Sequence, residues 1–153
     1  MRPTLAQIGV KAVEARLPQA RENDGAAAAA NDHFVERNGL RYAGTHLILD
    51  LWEAERLDDP ELMRSVLERA VEAAGATLLH IHLHRFGDGG GVSGVAVLAE
   101  SHISVHTWPE RRFAAFDVFM CGSADPYAVI PILKEAFRPQ RMTVTEHMRG
   151  CLG

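Results

Sequence analysis

The chain has 153 residues, 47% hydrophobic and 24% charged, with sixteen basic against twenty acidic residues and a formal net charge of −4. That length suits one domain with a buried core, and the lack of a basic block excludes the electrostatic footprint of nucleic-acid binding. No apolar run approaches the roughly 18 residues of a membrane span, and the N-terminus carries no apolar signal core. The two cysteines, Cys121 and Cys151, make neither a disulfide scaffold nor a CxxC metal pattern, so the expected setting is the cytoplasm.

In chain order, the first 38 residues stand apart. Arg16 to Asp32 holds Pro18, Gly25 and five alanines from Ala26 to Ala30. It has little to bury, so 1–38 is expected to be a mobile leader, with a candidate short helix over Ala6 to Arg16. The domain, 39–153, begins at the Asn38-Gly39 turn. Thr45 to Trp52 reads as a strand. Asp58-Asp59-Pro60 starts a helix, whose stripe of Leu62, Met63, Val66, Leu67, Ala70, Val71 and Ala74 ends at Gly75. Ala76 to His84 is a strand, Gly87 to Gly91 a turn, and Val92 to Ala99, His102 to Thr107 and Phe113 to Met120 are further strands. A second helix starts at Asp125-Pro126 and turns Tyr127, Ile130, Leu133 and Phe137 inward. Pro131 falls in its second turn, at a cost in helix hydrogen bonding. Arg141 to His147 is the last strand. The expected order, β-α-β-β-β-α-β, is an α+β two-layer sandwich: a mainly antiparallel sheet with helices on one face.

Three groups of residues carry candidate chemistry. Ser101 follows an acid, Glu100, and precedes His106 by five positions. Attack of the Ser101 hydroxyl on the Glu100 carbonyl would give an ester, and elimination would leave a pyruvoyl group made from the chain itself. Such a route needs a donor for the oxyanion and a base for the α-proton. His106 is the local candidate, and Ser93 offers a hydroxyl on the neighbouring strand. In a regular strand residues five apart face opposite sides, so Ser101 must sit at a bend or strand end. The alternative is two ordinary polar strand residues. Cys121, beside Gly122, is a candidate proton donor or nucleophile, or a small buried hydrophobe. His80, His82 and His84 share one strand face, which suits either a transition metal or a polar face lining a subunit interface.

The combination resembles a known family. Gly91-Val92-Ser93-Gly94, Glu100-Ser101-His102, His106-Thr107-Trp108-Pro109-Glu110, Asp117-Val118-Phe119 with Cys121-Gly122, and Glu146-His147 with Arg149-Gly150 are similar to the prokaryotic S-adenosylmethionine decarboxylase proenzymes over about residues 40 to 150. The resemblance implies cleavage between Glu100 and Ser101 into a β chain, 1–100, and an α chain, 101–153, capped by a pyruvoyl group that holds the substrate amine as a Schiff base. No pyridoxal phosphate or metal is then required. It further implies that His106 handles the processing proton, that Ser93 assists it, and that Cys121 returns the proton to the decarboxylated product. Phe86 and Trp108 would stack on the nucleoside, and Glu110 would accept from the ribose hydroxyls. The family fold is the same sandwich, paired as a dimer of αβ units with sites near the interface. The reaction would supply the aminopropyl donor for spermidine synthesis.

Gly44-Thr45-His46, Arg111-Arg112 and Met120 depart from the family's usual residues, which leaves ornithine or arginine as alternative substrates for the same chemistry. Readings from other classes are a non-catalytic homologue acting as a binding partner, and a Cys121/His106 hydrolase that stays a single uncut chain.

Overall fold

The computed structural model describes residues 33–152. The candidate helix at 6–16 and the expected leader up to residue 32 lie outside the described residues. Ordered elements begin ahead of the expected domain start. Strand β1 (Val35–Arg37) and β2 (Leu40–Tyr42) form a hairpin around Asn38 and Gly39, whose φ values are 53° and 76°. Positive φ at both turn residues is the type I′ geometry that Asn-Gly favours.

The main sheet has six antiparallel strands in the order β4-β5-β6-β7-β3-β8. They are β3 (Gly44–Trp52), β4 (Leu78–Arg85), β5 (Val92–Leu98), β6 (His102–Trp108), β7 (Phe113–Met120) and β8 (Arg141–Arg149). Four strands separate the two helices, matching the four segments Ala76–His84, Val92–Ala99, His102–Thr107 and Phe113–Met120 read from the sequence; the order β-α-β-β-β-α-β counts one of them too few. The turns at 86–91, 99–100 and 109–112 divide that stretch into four pairing segments, each with its own alternation.

Helix α1 (Pro60–Ala73) starts where expected: Asp59 caps it, its side chain accepting from the Leu62 N–H at 2.9 Å, with Pro60 in the first turn. Asp125 accepts from the Tyr127 N–H at 2.9 Å to start a 3-10 turn over Pro126–Ala128, which leads into α2 (Val129–Phe137). Pro131 therefore lies in the first turn of α2, where amides lack intrahelical partners anyway, and the expected hydrogen-bond cost does not arise there. Both helices cover one face of the sheet. Leu47, Leu49, Leu51, Ile103, Val105, Phe116 and Val118 point inward from the strands against Met63, Val66, Leu67, Leu133 and Phe137, all fully buried.

The other face carries the chemistry, because strand residues alternate sides. The register aligns His80, Val97, His102, Phe119, His46 and His147 in one row across all six strands. Four residues further along β6, His84, Ser93, His106, Ala115, Asp50 and Thr143 form a second row. Among the described residues no helix is long and apolar enough to cross a membrane.

Candidate active site

Ser101 stands where β5 turns into β6. Leu98 and Ser101 exchange both backbone hydrogen bonds, at 2.9 and 3.2 Å, leaving Ala99 and Glu100 as a two-residue turn. Glu100 has φ of 92°, whereas Ala99 is not among the positive-φ residues. Positive φ at the second turn position alone is the type II pattern, which selects glycine. Tight hairpins avoid that turn because it opposes the twist of the strands. A glutamate there stores backbone strain of about 1–3 kcal/mol, in the residue whose carbonyl is the expected scissile one. The strand-end position required of Ser101 is the one it occupies.

The Ser101 side chain is buried, at 7% exposure. Its Oγ accepts from the Cys121 backbone N–H at 3.2 Å and lies 3.5 Å from Cys121 Sγ. The same thiol donates to the Glu100 carbonyl oxygen at 2.8 Å. Cys121 is held there by the end of β7 and by Gly122, whose φ is 60° and whose N–H donates to the His33 carbonyl. One cysteine thus meets both the hydroxyl that would attack and the oxygen that would take up negative charge. A pyruvoyl group at position 101 would keep these neighbours, and a shielded side chain beside an amide and a thiol donor fits it.

Around this turn an open cleft of about 360 Å³ is lined by His46, Glu100, Ser101, His102, Phe119 and Arg149. His46 Nε2 is 3.0 Å from Asp117 Oδ1, and Arg149 Nη1 is 3.2 Å from His46 Nδ1. A guanidinium can only donate, so Nδ1 accepts and Nε2 carries the proton given to Asp117. His102 stacks on Phe119 with centroids 5.7 Å apart. Burial holds the His102 pKa below its ordinary 6.5, His46 lowers it further, and Asp117 opposes the shift.

Ser93 and His106 form a second cluster. Ser93 Oγ lies 2.8 Å from His106 Nδ1, as their direct pairing across β5 and β6 dictates. Gly91 and Gly94 permit the close approach: a Cβ would fall 2.1 Å from the Thr107 carbonyl oxygen at Gly91 and 2.5 Å from that of His82 at Gly94. Buried Thr107 ties the strands down, accepting from Val92 N–H and donating to the Leu57 carbonyl, both at 2.7 Å. A cleft of about 290 Å³ here is lined by Phe86, Ser93, His106, Trp108 and Glu110, among others. Phe86 and Trp108 are 58% and 41% exposed, open for stacking on a planar ligand.

The predicted site residues therefore fall into two groups. Glu100, Ser101 and Cys121 meet; Ser93, His106, Phe86, Trp108 and Glu110 gather elsewhere. Along β6, five residues span about 17 Å at the usual strand rise, far beyond hydrogen-bond reach. His46, Asp117, Phe119, His102 and Arg149 had no assigned role in the sequence reading, although several sit inside the quoted motifs. His80, His82 and His84 share the exposed outer face of edge strand β4, and no group of three or more potential metal ligands is assembled among the described residues. Both Cys121 and Cys151 are free thiols.

The family profile described as S-adenosylmethionine decarboxylase matches residues 45–150. The S-adenosylmethionine decarboxylase proenzyme of Thermomicrobium roseum is 43% identical over 114 residues, covering 74% of this chain and 98% of that protein. That of Methanococcus maripaludis is 45% identical over 116 residues, covering 74% and 94%. Among solved structures, the adenosylmethionine decarboxylase from Aquifex aeolicus is similar with a TM-score of 0.65 at 36% identity, covering 72% of this chain and 92% of that one. The profile match runs through β8 and takes in both clusters and the strained turn; the chain belongs to the S-adenosylmethionine decarboxylase family.

Proposed function

We propose that the chain is a proenzyme that cuts itself between Glu100 and Ser101 and then decarboxylates S-adenosylmethionine to the aminopropyl donor of spermidine synthesis. The contact of Cys121 with both Ser101 Oγ and the Glu100 carbonyl oxygen carries this reading. Attack of Ser101 Oγ on that carbonyl carbon places negative charge on the oxygen that the thiol already hydrogen-bonds. Collapse breaks the peptide C–N bond and leaves residues 1–100 esterified to the Ser101 side chain. Loss of the Ser101 α-proton expels Glu100 as a carboxylate and leaves dehydroalanine. Water then releases ammonia and leaves a pyruvoyl group on the α chain, 101–153. The type II turn at Glu100 assists, because its strain is lost once the chain is cut.

The pyruvoyl group supplies an electron sink for the electrons left by departing CO2. Cys121 then holds the proton destined for the substrate α-carbon. Phe86, Trp108 and Glu110 offer two aromatic faces and a carboxylate for a nucleoside, which favours S-adenosylmethionine over ornithine or arginine.

The Ser93–His106 pair is too far from its own Ser101 to serve it, which supports a dimer. The face bearing both clusters carries no helix and ends in an aromatic row, Trp108–Phe113–Trp52, with centroids 5.3 and 4.3 Å apart. A second copy related by a two-fold axis on this face would bring His106 of one chain to Ser101 of the other. His80, His82 and His84 then border that interface. A chemistry that depends on the free Cys121 thiol suits the reducing cytoplasm.

Carbon dioxide release from S-adenosylmethionine, ornithine and arginine, measured side by side, tests the substrate. Turnover of S-adenosylmethionine is expected; turnover of an amino acid alone would overturn that choice.

A further inference from the structure

We infer that Arg149 is the specificity residue that takes the substrate's α-carboxylate in the cleft beside Ser101, held ready by His46 and Asp117. The inference rests on the decarboxylase reading above. Among the described residues Arg149 is the one guanidinium lining that cleft. Of its five N–H donors, one is used among the described residues, on His46 Nδ1 at 3.2 Å. Among the described residues no carboxylate pairs with it, since the ion pairs present involve other groups. Asp117 instead sits behind His46, 3.0 Å from Nε2. The chain Arg149 to His46 to Asp117 fixes the imidazole by a donor on one side and an acceptor on the other. It therefore steadies the guanidinium without placing an anion against it. An oriented cation with spare parallel donors is the arrangement that selects a carboxylate.

The substrate's chemistry puts its carboxylate within reach. The α-amine and α-carboxylate share one carbon, and the amine is captured at residue 101, on the same cleft wall. S-adenosylmethionine, ornithine and arginine all carry this end, so Arg149 would select α-amino acids as a class, while Phe86, Trp108 and Glu110 select the remainder. The carboxylate loses its charge as it departs as CO2. Its pairing with Arg149 is then stronger in the ground state than in the transition state, so Arg149 acts on KM and on bond alignment more than on kcat.

The test uses full-length protein whose cleavage has first been checked by mass. Arg149→Gln is expected to raise KM about tenfold while changing kcat less than about threefold. Inhibition by the decarboxylated product, which has no carboxylate, should stay within about twofold of wild type, and Arg149→Lys should recover part of the loss. Unchanged KM overturns the inference. So does a parallel rise in KM and in the product's inhibition constant, which marks a merely structural role. Should the variants stay uncut, wild-type enzyme decides: a substrate analogue lacking the α-amine should inhibit at least about tenfold better as the acid than as its methyl ester. Equal inhibition refutes the carboxylate site. Absence of CO2 release by the wild-type enzyme from all three substrates would instead defeat the decarboxylase reading itself.

Discussion

If His106 serves the Ser101 of a second copy, two inactive chains should repair each other. Ser101→Ala removes the attacking hydroxyl, and His106→Ala removes the partner of Ser93, which sits 2.8 Å from His106 Nδ1. Within one chain the two positions are about 17 Å apart along β6, so no side-chain rotation joins them. Each variant alone is expected to stay uncut. Co-expressed with different tags and paired at random, they give mixed dimers in which one of the two sites is whole: Ser101 from the His106→Ala chain, His106 from the other. About half of the His106→Ala chains should then be cut and about a quarter of all sites should become active. The readout is intact mass of each tagged chain plus CO2 release. No cleavage in the mixture would refute the shared site, and full cleavage of His106→Ala by itself would remove His106 from processing.

Three further outcomes follow from the geometry. Glu100→Gly relieves the positive φ of 92°, and loss of about 1 kcal/mol of ground-state strain should slow self-cleavage about fivefold in a time course on denaturing gels; faster cleavage would contradict the strain argument. Cys121→Ala removes the donor 2.8 Å from the Glu100 carbonyl and should slow cleavage at least about tenfold, and the cut fraction should turn over poorly; unchanged rates of both would discharge the thiol from both roles. Burial keeps the folded His102 pKa below 6.5, so as pH falls through that value the unfolded chain takes up a proton before the folded one does. Stability should therefore decline from pH 7 downward until the lowered folded pKa is passed, and level off below it. His102→Phe should flatten this part of the Tm-versus-pH curve; an identical slope would show that another group is responsible.

The fold and one half of the site were legible in the sequence for different reasons. Strands β3 to β8 and helix α1 follow from local signals: the short, largely apolar run Phe113–Met120, and Asp59-Pro60 ahead of a helical stripe. The strand-end position of Ser101 followed from the parity of Ser101 and His106. The contacts of Cys121 with Glu100 and Ser101 bridge 20 or 21 positions, and only the pairing of β6 with β7 brings them together. The His46–Asp117–Arg149 line joins strands 71 and 103 positions apart, a separation across which no local pattern carries information. The Asn38-Gly39 turn was visible, but the short, polar Val35–Arg37 strand before it has no periodicity long enough to announce itself.

Intact mass of purified, active, full-length protein under denaturing conditions addresses the self-cleavage claim most directly. The account predicts two species, residues 1–100 ending in an ordinary carboxylate and residues 101–153 beginning with a pyruvoyl group, with Ser101→Ala remaining one chain. A single full-length species in a preparation that releases CO2 would contradict it.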